Sequence, residues 1–300
     1  MRPLAIIGPT ASGKSPLALA YARSVTGVEL VSVDSMQVYK GMDIGTAKPS
    51  AADRSEIRHH GLDLAEPTED VTVVRFQASV ASARREIAAR GNEAVLVGGT
   101  GLYLRAVIDD LVPPGQWPAV RAELEAEPDT TALYGRLRAV DPAAAARIDP
   151  ANRRRLVRAL EVYLGSGRPF SSYGPGLEAY PPIDEIQIGL RWTRGTLAAR
   201  IEARIDVQLA IGWLDEVAAL AGLPLSRTAK QALGYRELLA HLEGHCSLEA
   251  ARAATIARTR RFAIRQERWF RRDPRIRWVD LHDDPLEALP VLLGKEAACA

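Results

Sequence analysis

Gly8-Pro-Thr-Ala-Ser-Gly-Lys-Ser15 has the composition and spacing of a loop that holds phosphate groups. Its glycines let backbone N–H groups turn toward an anion, Lys14 supplies a point charge, and the Ser15 hydroxyl can join a Mg²⁺ shell at the head of a helix. The whole run Gly8, Pro9, Thr10, Ala11, Ser12, Gly13, Lys14 and Ser15 is therefore the candidate diphosphate- or nucleotide-binding element. Two further groups end apolar segments: Asp34 follows Glu29-Leu-Val-Ser-Val33, and Gly98-Gly-Thr100 follows Glu93-Ala-Val-Leu-Val97. In an open α/β sheet the carboxyl ends of the strands converge on the ligand, which brings Asp34 close to the bound phosphates. Three roles are open to it there: a partner of Mg²⁺ through water, a general base toward an acceptor, or a helix N-cap. The segment 93–97 lacks the terminal Asp with which phosphate-loop ATPases hold their metal, and no acid follows before Asp109. That argues against an ATP-hydrolysing motor and leaves a small-molecule kinase in play.

The elements that must position these groups follow from apolar periodicity. Residues 3–8 read as a strand, 14–25 as an amphipathic helix and 29–33 as a second strand, a βαβ opening in which Pro16 falls in the first helical turn, where a missing N–H costs little. A polar stretch around 40–56 precedes a helix over 73–90, on which Val73, Phe76, Val80 and Ile87 share a face, and a buried parallel-type strand over 93–97. Pro113-Pro-Gly-Gln-Trp-Pro118 breaks the pattern, an Ala- and Arg-rich helical region runs to Leu164, and 165–182 is rich in Gly, Pro and Ser. The sheet resumes at Ile186-Gln-Ile-Gly-Leu-Arg-Trp192, and Arg275 to Asp280 reads as a late strand. The expected fold is α/β, a phosphate-loop NTPase-like parallel sheet covered by helices. Residues 1–112 and 183–300 form the core, and 113–182 a helical insertion.

Composition bounds the class. With 47% hydrophobic and 25% charged residues over 300 positions, the chain has the makeup of a globular protein with room for one large domain or a domain with an insertion. The apolar run at the start is too short for a signal peptide or a membrane span and is needed as the first strand, so a cytoplasmic protein is expected. Cys246 and Cys299 stand far apart without a partner motif, which indicates neither a zinc site nor a disulfide scaffold. The net charge of +2 conceals arginine clusters at 147–158 and 252–277. At 100° per residue, Arg258, Arg261, Arg265, Arg268 and Arg272 fall in one stripe, opposite Ile256, Ala263 and Phe270. Few acids interrupt that stripe, which suits a polyanionic partner.

Taken together, several segments resemble the tRNA dimethylallyltransferase, or isopentenyltransferase, family. They are the phosphate loop, Val31-Ser-Val-Asp-Ser-Met-Gln-Val-Tyr-Lys-Gly-Met-Asp-Ile-Gly-Thr-Ala-Lys-Pro49, Val97 to Tyr103, Arg155 to Tyr163, Arg200-Ile-Glu-Ala-Arg204, Gln231 to Arg236 and Thr259 to Phe270. The likeness runs in order along nearly the whole chain. It implies transfer of a dimethylallyl group from dimethylallyl diphosphate to N6 of the adenosine 3′ of a tRNA anticodon, with Mg²⁺ as cofactor. The loop would then cradle a leaving diphosphate, and the missing acid after 97 is explained, since no water is activated. Asp34 takes the general-base role by its match to the Val-Asp-Ser motif, and Thr100 matches a position that meets the target nucleotide and the reacting groups. Arg204 becomes a second diphosphate ligand. Asp34, Ser35, Met36, Gln37, Thr100, Arg121, Arg154, Arg155, Leu156, Val157, Arg158, Gln231, Gly234, Tyr235 and Arg236 match segments that meet tRNA. The insertion would clamp the anticodon stem-loop, the target base would leave its stack to enter a channel, and the enzyme would act as a monomer. Three residues depart from the family pattern: Ile264 stands where Lys is usual, Gln208 where Met is common, and Pro16 is unusual after the phosphate loop. A phosphate-loop kinase and a non-catalytic RNA-binding protein are the competing readings.

Overall fold

The computed structural model describes residues 3–174 and 176–294; Met1, Arg2 and Cys299 lie outside the described residues. Two compact units emerge, Met1–Asp110 with Pro182–Ala300, and Leu111–Pro181. The chain thus passes between them just before the proline break at 113 and at the end of the Gly/Pro/Ser-rich stretch.

In the larger unit, β1 (Leu4–Ile7) leads through the phosphate loop into α1 (Lys14–Ser24) and β2 (Val28–Val33). Within the polar stretch and just after it lie two elements that carry no apolar periodicity. α2 (Ala51–Glu56) is fixed by a capping box in which Ser50 and Asp53 bond each other's backbone, and β3 (His59–His60) is a two-residue edge strand. After α3 (Val73–Ala89), β4 (Glu93–Gly98) and α4 (Gly101–Ile108), the smaller unit contributes α5 (Pro118–Ala126), α6 (Thr130–Val140), α7 (Pro142–Arg147) and α8 (Arg153–Ser166). The larger unit resumes with β5 (Ile186–Arg191), α9 (Arg194–Ala210), α10 (Trp213–Leu220), α11 (Tyr235–Leu242), α12 (Leu248–Phe270), β6 (Ile276–Asp280) and α13 (Leu289–Leu292).

The six strands form one parallel sheet in the order β3-β2-β4-β1-β5-β6. β1 lies between β4 and β5, with the chain leaving toward β2 on one side and toward β6 on the other. Helices on both faces bury β1 and β2 entirely, which is why these strands are near-continuous apolar runs rather than alternating ones. α3 directs Phe76, Val80, Ala83 and Ile87 into the core, while Val73 is only partly covered. The smaller unit has its own core of Leu124, Leu133, Leu137, Ile148, Leu156 and Leu160. Among the described residues no helix is long and apolar enough to cross a membrane, and Cys246 is a free, half-buried thiol.

One charge within the sheet must be compensated. Glu29 of β2 is 2% exposed, and its carboxylate accepts Arg90 Nε at 2.8 Å, Arg90 Nη2 at 2.7 Å and Asn92 Nδ2 at 2.8 Å, with His60 Nε2 at 2.7 Å. The Arg90 hydrogen bonds, against the opposing cost of burial, hold the Glu29 carboxyl at about 2, below its usual 4.5. The folded value lies below the unfolded one, so this contribution is complete above about 4.5 and is lost as pH falls toward about 2. Glu29→Gln is expected to cost about 3 kcal/mol at pH 7. In urea melts the gap from wild type should narrow steadily toward pH 3; a gap independent of pH would refute the assignment.

Candidate active site

The phosphate loop leaves β1 with its carbonyls turned outward, and each of three finds a donor. Lys14 Nζ donates to Pro9 O at 2.8 Å, Arg200 Nε to Ala11 O at 3.0 Å and Trp192 Nε1 to Ser12 O at 3.0 Å. The Arg200 guanidinium also stacks 4.3 Å from the Trp192 ring centre. Gly13 precedes α1 at φ 88°, and a Cβ there would lie 2.3 Å from Pro285, so glycine is required on two counts. No side chain caps α1. The amides of Lys14 and Ser15, in its first turn, have no intrahelical acceptor and present the positive end of the helix dipole to a ligand.

Thr10 has a different part from the one expected. Its N–H donates to Gln266 Oε1 at 2.9 Å and its hydroxyl accepts Arg204 Nη1 at 2.9 Å. That amide is occupied and does not belong to the open cradle. Ser12 is fully buried with an unpartnered Oγ, so it shapes the loop from behind. Gln266 completes a bridge by donating through Nε2 to Gly99 O at 2.8 Å, which ties the loop after β1 to the loop after β4.

Asp34 follows β2. Its Oδ1 accepts the N–H groups of Met36 at 2.8 Å and Gln37 at 3.4 Å, whereas among the described residues none donates to Oδ2. The capping option is thus realised, although on a turn rather than a helix, and by one oxygen only. Thr100 stands at the N-cap position of α4 without capping it; its Oγ1 instead accepts Ser35 N–H at 3.1 Å and lies 3.4 Å from Ser35 Oγ. A cavity of about 340 Å³ is lined by Thr10, Lys14, Ser15, Asp34, Gln37, Arg204, Phe262 and Gln266 among others. Asp109 is not available to this cavity's chemistry, being buried in ion pairs with Arg105 and Arg275.

Two cations and one carboxylate set the electrostatics. Burial lowers Lys14 to about 8; Asp34 pushes it back up and Arg204 pushes it further down. Burial likewise pulls Arg204 below its ordinary value, with Asp34 opposing, and a guanidinium remains charged regardless. The result is a positive, partly enclosed recess facing one carboxylate, arranged to receive an anion.

Outside the recess, the arginines separate into two groups. On α12, Arg258 is paired with Glu237, Arg252 with Glu202 and Asp206, and Arg260 with Glu202. Arg258 therefore drops out of the expected basic stripe, because the adjacent α11 supplies its counter-ion. Arg261, Arg265, Arg268 and Arg272 are exposed and carry no ion pair among the described residues. In the smaller unit, Arg154 and Arg155 are exposed at the start of α8, but Leu156 and Val157 are buried in that unit's core, which removes their side chains from RNA contact. Arg158 lies 3.0 Å and Arg121 3.7 Å from the buried Glu161 carboxylate, and Arg121 also bonds Glu125 at 3.0 Å. Both thus serve as counter-ions within the unit. In the segment 231–236, Gln231 and Arg236 are exposed, whereas Gly234 and Tyr235 are buried. Arg200, Trp192 and Gln266 escaped sequence reasoning as loop supports. Only Arg200 left a trace, lying one helical turn before Arg204 on the same face.

Fold and site define a phosphate-loop enzyme whose anion cradle looks onto a half-engaged carboxylate. The family described as IPP transferase matches residues 37–273. A tRNA dimethylallyltransferase of Nocardioides sp. is 48% identical over 287 residues, covering 94% of this chain and 92% of its own. Among solved structures, the tRNA isopentenylpyrophosphate transferase of Bacillus halodurans superposes with a TM-score of 0.69 at 37% identity, covering 98% of this chain and 96% of its own. A eukaryotic dimethylallyltransferase acting on tRNA reaches a TM-score of 0.80 at 26% identity, over 98% of this chain and 76% of its own. The chain belongs to the IPP transferase family, that of the tRNA dimethylallyltransferases its motifs resemble.

Lys14 yields a pH test. A bound diphosphate favours the ammonium form, so at and above about 8 binding must draw a proton onto Lys14, and affinity falls as pH rises through that value. Calorimetric titration with pyrophosphate in buffers of different ionisation enthalpy should register this uptake in the wild type but not in Lys14→Arg, whose guanidinium is already charged. Equal uptake by both proteins would refute it.

Proposed function

We propose that this enzyme transfers a dimethylallyl group from dimethylallyl diphosphate to N6 of the adenosine 3′ of the anticodon in tRNA. Family membership supports a dimethylallyl transfer to tRNA, and it disfavours a small-molecule kinase or a vestigial binding protein. The observation that carries the chemistry is the state of Asp34. One oxygen is held by two backbone amides, which orients the carboxylate, and the other, with no donor among the described residues, belongs to a side chain lining the cavity that also holds Lys14 and Arg204.

The lone pair of adenine N6 is delocalised into the ring, so the amine is a poor nucleophile until its proton is accepted. As N6 bonds to the allylic C1, the C1–O bond to the diphosphate breaks, and the N6 proton passes to Asp34 Oδ2. The two electrons of the broken bond leave with the diphosphate. Growing negative charge there meets the amides of Lys14 and Ser15, the Lys14 ammonium and the Arg204 guanidinium, a stabilisation that is strongest in the transition state. Thr100, held against Ser35, would border the incoming nucleotide.

Among the described residues no cluster of three or more His, Cys, Asp or Glu could hold a metal. The site fits Mg²⁺ in another way: the Ser15 hydroxyl is exposed at the open head of α1, and Mg²⁺ commonly takes few protein oxygens with the rest from phosphates and water. Bound there with the diphosphate, the ion would supply further neutralisation of the leaving group. On the same reading, Arg261, Arg265 and Arg268 of α12, Arg154 and Arg155 of α8, and Gln231 and Arg236 meet tRNA, with Ser35, Met36 and Gln37 nearest the target base. The smaller unit is a second tRNA-binding element that clamps the anticodon stem-loop. The enzyme works as a monomer in the cytoplasm.

Asp34→Asn keeps an oxygen for the Met36 amide and removes the base. Turnover of dimethylallyl diphosphate and unmodified tRNA to N6-prenyladenosine should fall roughly 10²–10⁴-fold, with tRNA affinity nearly unchanged; near-wild-type turnover would sink the assignment. Replacing Arg265 and Arg268 by Ala should weaken tRNA binding and reduce the slope of log affinity against log salt by about 0.7 for each phosphate that is no longer neutralised. An unchanged slope would exclude the basic stripe as the tRNA face.

A further inference from the structure

Glu216 lies in the first turn of α10, outside every segment assigned above to substrate, yet its carboxylate is the most heavily engaged acceptor near the site. Oε2 accepts the N–H groups of Asp43 at 2.7 Å and Ile44 at 2.6 Å; Oε1 accepts that of Gly45 at 3.1 Å and the Tyr235 hydroxyl at 2.6 Å. Three consecutive amides turned toward one carboxylate form an anion nest, here filled by the protein itself. The opposite side of the same turn is also held. Gln208, buried on α9, donates through Nε2 to the carbonyls of Ile44 and Gly45. Trp213 presses on Gly45 so closely that a Cβ there would fall 2.2 Å from Nε1. The turn is thus held from both sides, by Glu216 and Trp213 of α10 and by Gln208 of α9.

What the turn supports is the edge of the reaction site. Just beyond Gly45, the carbonyls of Thr46 and Ala47 accept Gln37 Nε2 at 3.1 and 3.0 Å, while Gln37 Oε1 accepts Ser32 Oγ at 2.7 Å. Gln37 ends the turn that Asp34 caps. In the other direction, Tyr235 belongs to the segment 231–236, and its ring stands edge-on to Trp213 with centres 5.8 Å apart. One carboxylate thus joins the wall beside the general base to a separate segment that meets tRNA on our reading.

We propose that Glu216 is a positioning residue that keeps the Asp34–Gln37 turn and the Gln231–Arg236 segment in register for a single RNA substrate. The proposal rests on the function given above. It predicts a defect in aligning tRNA with no defect in holding diphosphate, because none of the Glu216 contacts reaches the phosphate loop.

The test uses the full-length enzyme with Glu216→Gln, whose Nε2 would oppose the N–H donors, and Tyr235→Phe, which deletes one hydroxyl and leaves the ring packed. Glu216→Gln is expected to lower kcat by roughly 10- to 100-fold, the scale of a displacement of about 1 Å, and to raise KM for tRNA. Tyr235→Phe should shift the same parameters by less, and the double variant should be no worse than Glu216→Gln, since the Tyr235 hydroxyl acts through its bond to Glu216. Calorimetric affinity for magnesium pyrophosphate should stay within about twofold of wild type. Wild-type-like kinetics in both variants, additive losses, or a parallel fall in pyrophosphate affinity would each overturn the proposal. If the wild type itself forms no N6-prenyladenosine, the parent function fails instead. Filter binding then judges Glu216 alone: weaker tRNA binding by the variants supports its role, and unchanged binding overturns it.

Discussion

A loop that turns amides toward an anion must turn carbonyls away from it, and buried carbonyls need donors of their own. Much of the architecture around this site follows from that constraint. The Pro9, Ala11 and Ser12 carbonyls are met by Lys14, Arg200 and Trp192, two of which come from the chain after β5. The segment that resumes after the smaller unit is therefore more than the fifth strand of a sheet. It brings two of the donors that satisfy the loop's carbonyls. Gln266 extends the arrangement from α12, linking Thr10 to Gly99 and so fixing the gap between two strand ends.

The same packing gives the site its charge. Lys14 and Arg204 are held in a recess where burial works against both, with Asp34 as the neighbouring carboxylate that favours their charged forms. Such an arrangement is costly without an anion and relieved by one, which suits a leaving group whose charge grows during reaction. Asp34 is oriented by one oxygen alone, which accepts two backbone amides, and its other oxygen accepts no hydrogen bond from the described residues. Glu216 differs: three backbone amides and the Tyr235 hydroxyl occupy both of its oxygens, so that carboxylate is committed to holding structure.

Arginine content by itself says little about RNA contact, since the fold divides chemically identical side chains into counter-ions and exposed cations. Arg121 and Arg158 answer the buried Glu161, and Arg258 answers Glu237, whereas Arg261, Arg265 and Arg268 face solvent. Proximity of an acid from another element makes the difference, and Debye screening leaves the exposed set as the salt-sensitive one.

Local chemistry determined a great deal. The phosphate loop, the buried strands, Asp34 at a strand end and the change of character near 112 and 182 are all legible in the chain, because turn geometry, apolar periodicity and prolines act within a few residues. The two-residue β3 is not legible, being too short to carry a period, and α2 depends on its Ser50–Asp53 box more than on any apolar face. Long-range partnerships were decided only by the tertiary structure. Nothing within a few residues of Thr10 announces that Gln266 occupies its amide, nor does Asp43 announce Glu216, because these contacts span 256 and 173 positions. The sequence by itself determined which groups could do the chemistry; folding decided which of them are free to do it, since a hydrogen-bond donor or a charge is available only where no other element has already satisfied it.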